Sequence, residues 1–218
     1  MVRKFITKTE FAYNEIKDKI GQGLYKKNHL YTIVDVANEI GVSRTPVSGA
    51  IKILESEGYI TMYPGVGFRI KDLSLSEIKE SLLISGALEI VAMDYIIDNS
   101  AISDSKRKLL EEYVNGSQKA INSCDGKKYV DFAEKYHEEL YALVNLPSVK
   151  DILNDHTFLH KSLYIAGVGK CPDDANLLAE DHFKILECII TKDKKKMRDI
   201  IEEHELHCYT ILEKVLES

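Results

Sequence analysis

The sequence predicts a mainly α protein in two domains. Residues 1–71 read as three helices and a small two-stranded hairpin, and residues 72–218 as an all-α bundle of about six helices. Three observations predict this. Apolar residues recur at helical spacing along most of the chain, two short β-type runs flank one glycine-rich turn, and the charge is divided unevenly. The 218 residues carry a formal net charge of −6, but residues 1–70 hold 10 Lys and Arg against 7 Asp and Glu, while the rest holds 19 against 28. Basic charge is concentrated in the N-terminal part, and the acidic remainder is expected to face away from any polyanionic partner.

In the N-terminal part, Ile33, Val36, Ala37 and Ile40 place one apolar face on a short helix that stops at Gly41, a residue that accepts the left-handed conformation of many helix ends. Ser43 then stands at an N-cap, with Pro46 in the first turn of the next helix, where its missing N–H costs nothing. Val47, Ile51 and Leu54 form the apolar stripe of that helix, and Arg44, Thr45 and Ser48 cluster at its exposed N-terminal end. Glu57 to Tyr63 and Phe68 to Ile70 read as strands joined by Pro64-Gly65-Val66-Gly67. Together these elements make a winged helix-turn-helix, whose second helix of the pair enters the major groove by its N-terminal end, with Arg44 as reader of a base or a phosphate. An ordinary helical hairpin is the bland alternative, and it leaves the exposed Arg44-Thr45-Pro46 cluster and the glycines of the turn without a role.

From Leu73 onward no strand pattern recurs. Ser74 and Glu77 form a capping-box pattern that opens a long helix towards Asp98, with Ile78, Leu82, Leu88, Val91 and Tyr95 among its apolar positions. Further helices are predicted over about 103–122, 127–145, 148–167, 175–191 and 194–216, separated by Asn99-Ser100, Cys124-Asp125-Gly126, Leu146-Pro147 and the segment from Gly167 to Pro172.

Three histidines fall on the inward faces of separate helices. His137 is in phase with Val130, Ala133, Leu140 and Val144; His182 with Leu178, Ile185 and Ile189; His204 with Ile200, Cys208 and Ile211. Singly, each reads as a satisfied core residue. If they converge, three neutral imidazoles suit a divalent metal such as zinc or nickel, with a position open for a carboxylate effector. His156 and His160, four apart, are a second candidate pair, for a metal or for the wall of an effector pocket; Tyr141, Tyr164 and Tyr209 are candidate hydrogen-bond donors there.

The run Gly41-Val42-Ser43-Arg44-Thr45-Pro46-Val47, with Leu54 to Ile60 closing the third helix, resembles the winged-helix domain of the GntR family of bacterial transcription regulators over roughly residues 9–70. Tyr136-His137 ahead of Leu140 and Asn145-Leu146-Pro147, His182 opening a late helix and His204 in the last one resemble the FCD domain of the FadR branch. The resemblance implies a homodimeric regulator that binds double-stranded operator DNA through Ser43, Arg44, Thr45, Pro46, Ser48 and the wing glycines Gly65 and Gly67. It further implies a zinc- or nickel-like ion on His137, His182 and His204, and a small-molecule effector, a carboxylate, near Ser85; Tyr141, His156 and His160 are the further candidates for that effector site. This chain departs from the family pattern at four positions. Ser48 and Val34 stand where arginines are common, Ala133 replaces the aspartate four residues before the first histidine, and Ser85 replaces an arginine that would meet an effector carboxylate.

No apolar run approaches the roughly 20 residues that span a bilayer, and no signal-peptide pattern opens the chain, so a cytoplasmic protein is expected. Cys124, Cys171, Cys188 and Cys208 lack paired spacing and read as reduced thiols. Two other functions compete with the metal- or effector-controlled regulator. One is a metal-free dimeric regulator with an apolar effector cavity; the other is a helical metalloenzyme, disfavoured because no Asp or Glu is in phase beside His137, His182 or His204 to act as a general base.

Overall fold

A computed structural model describes residues 6–26, 28–158 and 160–217; the side chains of 154–158 lie outside that description. The chain forms two compact units, the first ending at Leu73 and the second beginning at Ser74.

The first unit contains α1 (Lys8–Gly21), α2 (Ile33–Ile40), α3 (Arg44–Ser56), β1 (Ile60–Tyr63) and β2 (Gly67–Ile70). Thr7 and Glu10 form a reciprocal capping box at the start of α1, and Thr32 caps α2 by accepting from the Asp35 N–H. Gly41 ends α2 at φ 73°, the left-handed turn that hands the chain to α3. Ser43 is the N-cap residue of α3, although its side chain makes no capping hydrogen bond. Ala12, Ile16, Val36, Val47, Ala50, Ile51 and Leu54 fill the core, so each helix buries the stripe that its periodicity marks. The antiparallel hairpin pairs Ile60 with Ile70 and Tyr63 with Gly67. The sequence did not announce one addition, a bridge between Tyr31 and Phe68 that ties the wing to the segment entering α2 through two backbone hydrogen bonds of 2.9 Å.

The second unit is helical throughout the described residues: α4 (Leu75–Asn99), α5 (Asp104–Asn122), α6 (Gly126–Tyr141), α7 (Pro147–Phe158), α8 (Lys161–Lys170), α9 (Pro172–Thr191) and α10 (Lys194–Leu216). The capping box at Ser74 and Glu77 is present. The single helix expected over 148–167 is instead two. The chain changes packing partner there: α7 lies on α4, whereas α8 packs on α6 and α10 and buries Leu163, Gly167 and Val168. On α4 the buried positions are Ile78, Leu82, Ser85, Gly86, Glu89, Ala92, Met93, Ile96 and Ile97. Val91 is 46% exposed, so the inward face is rotated from the one drawn through Leu88, Val91 and Tyr95.

Gly67 is the backbone constraint of the wing. A Cβ built there would stand 2.2 Å from the Tyr31 carbonyl oxygen, which cannot retreat without breaking the Tyr31–Phe68 bridge. Gly67→Ala is therefore expected to destabilise the first unit by about 1–3 kcal/mol, measured as a lowered midpoint of its unfolding transition; an unchanged midpoint would show that the bridge does not hold the wing.

Candidate DNA-reading surface and ligand cavity

In the first unit, Ser43, Arg44 and Thr45 are exposed at the start of α3, and Ser48 is half-buried one turn on. Ile33, Val34, Arg44, Thr45, Ser48, Gly49 and Lys52 line a shallow concavity formed by α2 and α3. Pro46 does not belong to this surface: in the first turn of α3, it is buried in the unit core. Gly67 is likewise buried against Tyr31, while Gly65, at φ 73°, is exposed at the tip of the wing. α3 approaches α1 closely at Gly49, whose absent Cβ would meet the Thr9 methyl at 3.0 Å.

In the second unit, α4, α6, α8, α9 and α10 surround a cavity of about 100 Å³. Its polar wall brings together the three histidines read from the sequence. The His182 ring lies 4.8 Å, centroid to centroid, from both His137 and His204. His182 is only 2% exposed, and neither ring nitrogen has a hydrogen-bond partner. The Tyr136 hydroxyl donates to the His182 backbone oxygen at 2.7 Å and its ring stacks on the imidazole, fixing the position of this helix turn.

Carboxyl groups reach the same place from α4, α9 and α10. Glu89 of α4 is 8% exposed, accepts from the Tyr141 hydroxyl at 2.6 Å and stands 3.6 Å from His137 Nε2. Glu205 of α10 lines the cavity with a buried, unpartnered Oε2 and lies against α4 where Gly86 leaves room. Behind His204, Asp181 is fully buried; its Oδ2 is 2.7 Å from His207 Nδ1 and 3.5 Å from His204 Nδ1. Lys161 also lines the cavity and is paired with Glu134 at 2.7 Å.

The electrostatics follow from burial. Desolvation, reinforced by His137 and His204, holds His182 well below the ordinary imidazole range, so it is a neutral ring. Desolvation also lowers His137, against the pull of Glu89. Burial, with Glu89 nearby, pushes the Glu205 carboxyl up to about 8. Asp181 falls to about 2, because His204 and His207 outweigh the opposing effect of burial. For His204, burial opposes the charged ring, but Cys208, Asp181 and Glu89 prevail and raise its pKa.

Among the effector candidates, Ser85 is buried in the cavity wall, but its hydroxyl is spent on the Ser81 carbonyl at 2.8 Å. Tyr141 acts one step back by holding Glu89. His160 and Tyr164 line the cavity; His156 falls where side chains are outside the described residues, and Tyr209 does not line the cavity. Two sequence inferences are corrected here. Acidic groups do stand beside the histidines, and the cavity is not purely apolar: Leu82, Val130 and Leu178 share it with Glu89, Glu205 and three imidazoles. Helical phase along a histidine's own helix does not report Glu89, which comes from α4. The spacing Leu82, Ser85, Glu89, Ala92, Ile96 was the available signal. Among the described residues no group of three or more His, Cys, Asp or Glu is arranged to hold a metal ion.

An exposed helix N-terminus beside a wing, and a separate helical unit with a buried polar cavity, define a two-unit DNA-binding regulator with a ligand site. Comparison with known proteins agrees. Residues 8–70 match the model of the bacterial regulatory proteins of the gntR family, and residues 84–207 match the FCD domain. The chain belongs to the GntR family of transcription regulators, in the branch that carries an FCD domain. It is 26% identical over 210 residues to the HTH-type transcriptional regulator YdhC of Bacillus subtilis, covering 94% of this chain and 91% of that one. The structure of Escherichia coli McbR/YncC superposes with a TM-score of 0.83 at 19% identity, covering 96% of this chain and 99% of the other. A GntR regulator from Rhodococcus sp. RHA1 superposes at 0.75 and 12% identity, over 98% and 99% of the two chains.

Tyr141→Phe would leave the buried Glu89 carboxylate without its hydroxyl donor. A loss of about 1–3 kcal/mol in stability of the helical unit is expected, read by thermal unfolding; no loss would mean that water already satisfies Glu89.

Proposed function

We propose that this protein represses or activates genes by binding a roughly palindromic operator as a homodimer, with a small ligand in the helical cavity controlling DNA affinity. The observation that carries the reading is the exposure of Arg44 and Thr45 at the start of α3, beside the α2–α3 concavity. One recognition helix reads few base pairs, and a two-fold dimer doubles the site. On the second unit, Leu83, Ile84 and Val91 of α4 are exposed apolar side chains of the kind a dimer covers. A ligand that binds one arrangement of the dimer better than another must couple reciprocally to operator affinity. Such a protein works where its DNA is, in the cytoplasm, and no described helix is long and apolar enough to cross a membrane.

The donor types around His182 fit a divalent metal: a neutral imidazole with two buried, unpartnered nitrogens stands between two further imidazoles, with the Glu89 carboxylate 3.6 Å from one of them. His137, His182 and His204 would hold the ion, which would supply a Lewis-acidic point for a carboxylate effector. The chain's own residues do the rest: Tyr136 fixes His182, and Asp181 backs His204. A metalloenzyme is the weaker reading, since Glu89 is engaged by Tyr141 and the family is regulatory.

With Val34 and Ser48 in place of common arginines, few phosphate contacts are expected on this face, and each missing contact lowers the salt slope by about 0.9. Arg44→Ala should weaken specific operator binding by about 1–3 kcal/mol, measured by fluorescence anisotropy against the DNA upstream of the gene; equal affinity in the variant would move the reading role off Arg44. Zinc titrated calorimetrically into EDTA-treated protein should bind with a stoichiometry of one per chain, and His182→Ala should abolish it. Binding that survives the substitution would place the ion elsewhere.

A further inference from the structure

We propose that the face formed by α2 and α3 reads an A·T step in the major groove through the C5 methyl groups of thymine. Val34 and Thr45 make the apolar contact, and Arg44 and Lys52 hold the phosphates to either side. The inference rests on the reading of α3 as the recognition helix and names the base chemistry that this helix selects.

Along α3, Arg44, Ser48 and Lys52 recur every fourth residue, so they form one row on the face that lines the concavity. Two exposed cations stand at the ends of the row with a neutral hydroxyl between them. At 1.5 Å of rise per residue the ends are about 12 Å apart. The two acidic side chains of α2 are engaged elsewhere: Asp35 accepts from the Thr32 hydroxyl at 2.7 Å, and Glu39 pairs with Lys19 at 2.5 Å. Glu55, beyond Lys52, does not line the concavity. The ends of the face therefore suit a polyanion, and its middle carries no charge.

A second observation concerns the opposite wall. Val34 of α2 is 39% exposed and lines the concavity beside the half-buried Ile33. Val36 and Ala37 supply the buried face of this helix, so Val34 has no packing role within the unit. The major-groove edges of the base pairs offer donors, acceptors and one apolar group, the C5 methyl of thymine. Against a donor or an acceptor, Val34 would strip water without replacing the hydrogen bond. Against the methyl it buries carbon on carbon. Thr45, exposed at the start of α3 on the other wall, has a methyl of its own for the same contact and a hydroxyl for a neighbouring base edge. Aliphatic carbon between two cations thus selects A·T within a contact that the phosphates hold in place.

The test uses the full-length protein and a fluorescein-labelled duplex that it enriches from a random-sequence library. Each thymine of that duplex is replaced in turn by deoxyuridine, which removes the C5 methyl and keeps the Watson–Crick pair. At one or more positions in each half-site the Kd should rise about fourfold for each methyl removed, the effect of burying one such carbon. Val34→Ser or Thr45→Ser should weaken binding of the thymine duplex and bring the ratio of the thymine and deoxyuridine constants at such a position close to one. A purely structural role would weaken both duplexes alike and keep the ratio. Both side chains are exposed; if either variant fails to fold, the deoxyuridine series on the native protein still decides. Affinity indifferent to every deoxyuridine, or a ratio unchanged in both variants, overturns the proposal. An enriched sequence that binds without regard to thymine methyls removes this inference alone, whereas a library from which no sequence is enriched removes the regulator reading with it.

Discussion

The burial of polar side chains without partners is the constraint on which the helical unit turns. Transferring such groups from water costs several kcal/mol unless each finds a donor or acceptor. Here Glu89, Asp181, His182 and His204 all lie within one region and are 8%, 0%, 2% and 5% exposed. Some of that cost is met locally, by the Tyr141 hydroxyl for Glu89 and by His207 for Asp181. His182 is not met at all. Keeping its ring neutral is the least costly state available, and a neutral ring with free nitrogens is also the state that can bind something.

The surrounding apolar frame makes this arrangement tolerable. Met93, Ile96, Leu110, Leu140, Leu153, Leu186, Met197 and Ile201 join one continuous buried cluster that Tyr136 also enters. Burial at roughly 25 cal/mol per Å² over such a cluster outweighs a handful of unsatisfied atoms. The first unit obeys a simpler rule. Its core is filled by Ile16, Val47, Ile51, Leu54 and Phe68, which leaves the side chains of Ser43, Arg44 and Thr45 at the start of α3 exposed and without a packing role. The proposed reading surface falls where packing does not need the side chains.

The reading head was largely legible in the sequence, because local rules settle it: an apolar stripe, Gly41 in a left-handed turn, Pro46 in a first turn and a glycine-containing hairpin. The bridge from Tyr31 to Phe68 was not, since it joins segments separated by two helices and depends on Gly67 having no Cβ. In the second unit the three histidines were legible by helical phase, each against its own apolar neighbours. Glu89 was hidden because periodicity within the histidines' helices does not report which side chains arrive from α4, whereas Asp181 and Glu205, each adjacent in sequence to a histidine, fall outside the apolar phase drawn through His182 and His204. The division between α7 and α8 was hidden for a related reason. Residues 148–167 keep a continuous helical pattern, but the two halves bury against different helices, and only tertiary contact reveals the change.

Gly86 sits where α4 passes Glu205, and a single methyl added there would stand 2.8 Å from the Glu205 Cγ. One side of the wall is therefore defined by something missing, on a helix that also gives Leu82, Ser85 and Glu89 to the same wall. In evolutionary terms this is a tuning point. Enlarging residue 86 would swing an acidic side chain out of or along the chamber while the helix stayed put, changing which charges a ligand meets without redesigning the scaffold. Regulators sharing this scaffold can thus diverge in the signals they sense by exchanging a few atoms on a wall, while the DNA-binding head is left alone.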